Sequence, residues 1–431
     1  MSTLIIRGGR VLDPAGGFDA VADVWIENGR IAAVGENLER EGAAVLDATG
    51  KIVAPGFIDL RARLREPGLE HAETIESGSR AAAAGGFTTI CCLPNTTPYN
   101  DSATVTSFIV DRAVNRAAVR VLPIGGLTKD GAGEQLAEIG AMKEAGVAAV
   151  SDGDSSVMDA ALMKRALRYA ASFDLTVLEH CEDANLGGGD IHDGSKSMLL
   201  GLTGDPVSAE TVILARDVIL CREASARIHF AHLSSAAAVA LVRQAKADGA
   251  AVTADAGAAY LDLTVEDVVP FDSNYKVRPP FRETSDREAL IEALADGTLD
   301  AIVSDHAPHT GNVKMQELES CPPGITGLET AVSIAIERLL HSKRVSLPRF
   351  VELFTSGPAR VLRRDDIGSL TIGGPGDITV LDLEREWTFD AETSLSKSKN
   401  SPFLGRVFRG GPAATVVGGR MVWRADSGLE A

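Results

Sequence analysis

The sequence predicts an α/β protein, a (β/α)8 barrel of the TIM type with a small composite β domain formed by the N- and C-terminal segments. Three observations predict it. Short apolar strands alternate with helical stretches eight times through the middle of the chain. Glycine-punctuated strand patterns with no helices occupy both ends. Histidines and aspartates gather just after the apolar strands, where a barrel keeps its chemistry.

The bulk numbers bound the rest. A chain of 431 residues exceeds one ordinary domain, and 45% hydrophobic with 24% charged residues describes a globular protein with a large core. A formal net charge of -18 argues against nucleic acid and anionic membrane as partners. Met1 to Arg7 lack a signal-peptide layout, and no apolar run approaches the ~20 residues of a spanning helix. The five cysteines are odd in number and form no Cys-x-x-Cys pair, which fits reduced thiols in the cytoplasm.

Taken in order, residues 1–55 read as short strands broken by Gly8-Gly9, Asn28-Gly29 and Gly35, with Asn28-Gly29 a strong hairpin signal. Residues 372–431 are again strand-like, so the two ends are expected to share one sheet, with residues 56–371 as the barrel between them. Barrel strands are expected at 53–60, 88–93, 119–124, 148–151, 176–178, 228–231, 251–254 and 301–303. The helical patterns between them cover 73–84, 103–115, 134–145, 157–171, 209–222, 236–247 and 285–295, with 329–340 after the last strand. A doubly wound open sheet is the rival; the lack of an early Gly-x-Gly-x-x-Gly weakens it.

The strand ends carry the chemistry. Six of the eight histidines (His71, His180, His229, His232, His306 and His309) lie at or near them. Singly, each would more often be a satisfied core or loop residue than a ligand. Together with Asp152 and Asp305 they point to a site. Asp152, His180 and His232 offer an oxygen and two nitrogens to a divalent transition metal, most plausibly zinc. Asp305 is the candidate acid–base residue. Arg65 and Asn95 are candidates to hold a substrate carboxylate, and His309 to reach the same substrate. The stretch from Gly56 to Gly68 puts Asp59, Arg61 and Arg63 on one face of an otherwise apolar strand.

These motifs resemble the dihydroorotase family of the amidohydrolase superfamily over essentially the whole chain. The residues that carry the resemblance are Pro55-Gly56-Phe57-Ile58-Asp59, Leu64-Arg65-Glu66-Pro67-Gly68, Leu93-Pro94-Asn95-Thr96, His180-Cys181-Glu182-Asp183, Ala231-His232-Leu233-Ser234, Ser304-Asp305-His306-Ala307-Pro308-His309 and Pro323-Gly324-Ile325-Thr326-Gly327. The resemblance implies a hydrolase of pyrimidine synthesis that interconverts carbamoyl-aspartate and dihydroorotate. Its substrate would be a small, carboxylate-bearing cyclic amide. It gives Asp152 a metal-bridging role, makes His180 and His232 ligands, and makes Arg65, Asn95 and His309 substrate contacts.

Three departures bear on that reading. Arg61-Ala62-Arg63 stands where the family has His-x-His, Gly257-Ala258-Ala259 where it has a Pro-His-His stretch, and Arg278 where it has asparagine. A guanidinium has no lone pair for a metal, so Arg61 and Arg63 are not expected to ligate. At most one Zn2+ per chain is expected, with none as the other outcome, and the arginines are expected to pair with Asp152 or Asp305. Two further readings stand beside the enzyme: a catalytically silent subunit that assembles with aspartate carbamoyltransferase, and a hydantoinase-like hydrolase of another cyclic amide. An oligomer is expected in each case.

Overall fold

The computed structural model describes residues 3–429. Eight strands run parallel in one sheet, each beside its predecessor in the chain. They are β1 (Phe57–Ala62), β2 (Phe87–Cys92), β3 (Arg120–Gly125), β4 (Ala149–Val150), β5 (Val177–His180), β6 (Ile228–Ala231), β7 (Val252–Gly257) and β8 (Ala301–Val303). The last strand returns to the first: Ala62 pairs with His306, and the Arg63 amide donates to the His306 carbonyl at 2.9 Å. The sheet is thereby a nearly closed barrel.

Helices α1 (Ile75–Ala84), α2 (Ala103–Arg116), α3 (Ile139–Ala145), α4 (Ala160–Ser172), α5 (Val207–Ala224), α6 (Ala236–Ala247) and α7 (Thr284–Asp296) cover the outside. Their starts are written in the sequence. Thr74 accepts from the Ser77 amide while the Ser77 hydroxyl accepts from Thr74 N, and Asp159 and Ser235 cap α4 and α6. Two helices depart from expectation. α3 begins at Ile139 rather than near 134, because Thr128 pairs with Leu136 and folds the preceding residues into a loop. After β8, the helix Ala331–Ala335 runs into a π-helical turn, Ile336–His341.

The chain ends meet in a second sheet of nine strands among the described residues. Five precede the barrel, from Thr3–Asp13 to Ile52–Pro55, and four follow it, from Ile378–Thr388 to Gly428–Leu429. The two sets join where Ile52–Pro55 lies antiparallel to Ile378–Thr388, Val53 opposite Val380. Thr379 ties this seam to the barrel: its hydroxyl accepts from the Phe57 amide and donates to the Gly86 carbonyl. No helix among the described residues is long and apolar enough to cross a membrane.

One ion cluster fastens the outer layers. Asp262, with its side chain 1% exposed, accepts from Arg338 and from Arg406, which both follow β8 in the chain. Both arginines are partly exposed, so solvent screens part of the gain. Asp262→Asn is expected to lower stability by ~2–3 kcal/mol, less than the loss for a fully buried pair. Urea unfolding at pH 7 checks it; an unchanged midpoint would show that the cluster is solvated.

Candidate active site

The site lies at the C-terminal ends of the barrel strands. Alternation along β1 turns Asp59, Arg61 and, beyond the strand, Arg63 to the interior. Both guanidiniums are buried, Arg61 with 1% and Arg63 with 7% of its side chain exposed. Arg61 Nε donates to Asp305 Oδ1 at 3.0 Å, and its Nη2 donates to Asp154 Oδ1 and to the Gly153 carbonyl, each at 3.0 Å. Arg63 Nη1 donates to the same oxygen of Asp305 at 3.1 Å, while its Nε and Nη2 grip Asp154. Two arginines and two aspartates thus form one neutral cluster. One donor in it, Arg61 Nη1, is buried without an acceptor among the described residues.

A chain of three hydrogen bonds leaves this cluster. Asp305 Oδ2 lies 3.1 Å from His232 Nδ1, His232 Nε2 lies 2.9 Å from His180 Nδ1, and His180 Nε2 lies 3.0 Å from Glu182 Oε2. Carboxylates only accept, so His232 Nδ1 donates to Asp305 and His180 Nε2 donates to Glu182. Burial, reinforced by Arg61, pushes His232 down to about 4. Burial alone would raise Asp305, but His232, Arg63 and Arg61 outweigh it and hold the carboxyl well below its usual range. Asp255 on β7 fixes the chain from below, accepting from the His232 amide at 2.6 Å and facing His229 Nε2 at 2.8 Å.

The metal set expected from the sequence is not assembled. His180 and His232 come together, but Asp152 turns away from them. Its Oδ1 accepts from the amides of Leu127 and Thr128 at 2.9 and 2.8 Å, and its Oδ2 from the Thr128 hydroxyl. Burial raises it, against these three hydrogen bonds. The carboxylate that faces the mouth is Asp154, two residues on, and it is Asp154 rather than Asp152 that pairs with the arginines. Gly153 makes the difference: its φ of +71° turns the chain, and a Cβ there would lie 2.4 Å from Asn95 Oδ1. The loop before α3 supplies the donors that hold Asp152 back. The sequence offers two carboxylates here, Asp152 and Asp154, and the glycine between them is the signal that they point different ways.

Two of the three substrate candidates, Arg65 and His309, border a cavity of about 340 Å³ lined also by Arg63, Asp154, Arg278 and Asp305, among others. Arg65 has no ion-pair partner among the described residues; its Nε donates to the Pro308 carbonyl at 3.2 Å, and Nη2 lies 3.4 Å from His309 Nε2. Burial, then Arg63, lowers Arg65 to about 10, and burial, then Arg65, lowers His309 to about 3. His309 is therefore neutral and Arg65 charged at pH 7. Asn95 sits at the side, donating from Nδ2 to Asp154 Oδ2 at 3.3 Å. Arg278, noted in the sequence only as a departure, faces Glu182 at 3.5 Å on the same cavity. Arg65, His232 and Asp305 all have positive φ, at 59°, 40° and 47°. Such conformations cost ~1–3 kcal/mol each in non-glycine residues and cluster at functional sites.

These residues do not fit a metal ion. Among the described residues, no three His, Cys, Asp or Glu side chains converge as a metal-binding group. The imidazole nitrogens of His180 and His232 are taken up by one another, by Asp305 and by Glu182, and both oxygens of Asp305 already accept hydrogen bonds, Oδ1 from two guanidiniums.

Comparison with known proteins gives two family models. One described as Dihydro-orotase-like matches residues 50–238, and one described as Amidohydrolase family matches residues 216–423. A dihydroorotase of Solibacter usitatus is 54% identical over 98% of this chain and 99% of its own length. A dihydroorotase of Pelotomaculum thermopropionicum is 47% identical over 97% of this chain and 98% of its own. Among solved structures, the L-hydantoinase (dihydropyrimidinase) of Arthrobacter aurescens superposes with a TM-score of 0.89 at 26% identity, covering 100% of this chain and 98% of that one.

Proposed function

Because the chain belongs to the dihydroorotase family, we propose that it is a cyclic amidohydrolase of pyrimidine biosynthesis, interconverting carbamoyl-aspartate and dihydroorotate. The observation that carries this reading is Arg65, a half-buried guanidinium with no carboxylate partner among the described residues, facing a cavity of about 340 Å³. A charge held partly out of water without a partner is costly, and a substrate carboxylate held by two parallel N–H···O bonds would offset it.

The chain's residues then take these roles. Arg65 binds the ring carboxylate, with neutral His309 beside it and Asn95 at the edge. Water adds to the ring carbonyl carbon, and Asp305 takes its proton as the C–O bond forms. Asp305 returns that proton to the ring nitrogen as the C–N bond breaks, leaving a carboxylic acid that ionises and a ureido group. Arg63, on the cavity wall, presents positive charge to the carbonyl oxygen as it becomes an oxyanion. Ring closure runs the same steps backwards. The family generally uses a metal such as zinc, but no step here is routed through one, since the residues do not fit it.

Purified protein is expected to turn over dihydroorotate and, in reverse, carbamoyl-aspartate, and to leave hydantoin and dihydrouracil untouched because they lack the carboxylate. Arg65→Gln is expected to raise KM ~10–100-fold, the worth of a charge-assisted pair, with a smaller change in kcat. Folded protein with no turnover in either direction would overturn the enzyme reading and leave a silent partner of aspartate carbamoyltransferase. The five cysteines are free and buried, which supports a reducing compartment, and we place the protein in the cytoplasm.

A further inference from the structure

We infer that the barrel mouth is a metal-independent centre, in which the Arg61–Arg63 pair locked on Asp154 and Asp305 takes the place of a divalent cation. The inference goes beyond the proposed reaction and concerns the ion centre alone.

Three features carry it. The first is charge. Arg61 and Arg63 bring two positive charges to the two negative charges of Asp154 and Asp305, so the cluster is neutral as built. A divalent cation added there would face two guanidiniums that cannot deprotonate. The second is the use of lone pairs. Asp305 gives Oδ1 to both arginines and Oδ2 to His232. His232 and His180 use their facing nitrogens on each other, and His180 gives its second nitrogen to Glu182. Binding a metal would break this chain and two ion pairs at once. The third is burial. With 1% and 7% of their side chains exposed, Arg61 and Arg63 are walled in and cannot swing to solvent to vacate the position.

Asp152 completes the picture from the other side. Held by Leu127 and Thr128, it is the one carboxylate at this end of β4 that the arginines do not touch. Gly153 places Asp154 in the cluster instead, in a geometry that serves guanidinium donors. The cluster is therefore a consistent alternative to a metal centre. It keeps a fixed positive charge beside the cavity and loses the ability to acidify a bound water.

The test uses the full chain as purified from cells grown with zinc and manganese. Elemental analysis is expected to find metal well below stoichiometric. Added EDTA, Zn2+ or Co2+ is expected to leave the thermal unfolding temperature unmoved, and Co2+ to give no visible ligand-field absorption beyond that of the free ion. The R61H/R63H double variant is expected to gain Co2+ absorption and an upward melting shift with metal. Should that variant fail to fold, the wild-type titration with Co2+ decides alone. Stoichiometric metal in the wild-type protein, or a melting temperature lowered by EDTA, would overturn the inference. Dihydroorotate turnover separates this from the proposed function. Turnover that persists in EDTA supports both, and turnover that needs added metal overturns the inference and keeps the reaction. No metal with no turnover keeps the inference and overturns the reaction.

Discussion

Asp305→Asn is expected to remove turnover and loosen the fold together, because one carboxylate serves both. In the native protein its Oδ1 receives donors from Arg61 and Arg63, and its Oδ2 faces His232. The amide keeps the shape and removes the charge. Two nearly inaccessible guanidiniums then share Asp154, which is itself open to the cavity. Breaking a buried pair from one side costs about 3–5 kcal/mol, because the remaining charge stays buried. Loss of the proton-transfer group is expected to lower kcat by ~10²–10⁴.

The pH dependence separates the electrostatic loss from a packing defect. Asp305 lies well below its usual range when folded. Its stabilisation is therefore complete above the unfolded value of about 3.9 and fades as pH falls below it. Wild-type and variant unfolding midpoints should differ most at pH 7 and approach each other below about pH 4. A gap that stays constant with pH would point to packing, and equal stability at pH 7 would refute the buried-pair account. Activity measured well below the variant's unfolding temperature keeps the kinetic loss distinct from unfolding.

How far the sequence led can be judged at these same residues. The barrel strands were legible because each is a short apolar run bounded by glycine, proline or polar residues; 228–231 and 301–303 coincide with β6 and β8. The helix 236–247 was legible for a similar reason, with Ser235 as its cap. What could not be read was the direction of side chains beyond a strand end, where the period of two lapses. Asp152 and Asp154 differ only by a glycine with positive φ, and that turn is selected by Asn95 and by donors at Leu127 and Thr128, which are distant in sequence. The same applies to Arg278, whose approach to Glu182 crosses from the loop after β7 to that after β5. The exchange of His-x-His for Arg-x-Arg was plain in the sequence. Its consequence was not, because pairing depends on which carboxylate the fold delivers.

The layer beneath the site gives the second large effect, in the opposite direction. Asp59→Asn is expected to stabilise the protein at neutral and alkaline pH. Asp59 is wholly buried on β1, below Arg61, and accepts from the Ser304 amide at 2.8 Å and the Ser304 hydroxyl at 2.6 Å. Burial raises its carboxyl to about 7, the hydrogen bonds from Ser304 only partly oppose this, and nearby Asp255 adds to the rise. The unfolded chain releases this proton near pH 4, while the folded protein holds it to about pH 7. Between those values the native state binds the extra proton, so stability falls as pH rises through the window and levels off above it. A shift of about three units corresponds to a loss on the order of 4 kcal/mol, carried in full above pH 7. Asparagine removes the ionisation and keeps the contacts, since its oxygen can accept from the Ser304 amide while its NH2 donates to the hydroxyl. The variant should therefore match the wild type near pH 4 and exceed it increasingly towards pH 8, as read by denaturant midpoints across that range. A wild-type profile that is flat from pH 4 to 8, or a variant less stable at pH 8, would mean that Asp59 is ionised in the native protein. Arg61 and the cluster above it would then have to reach down and neutralise it.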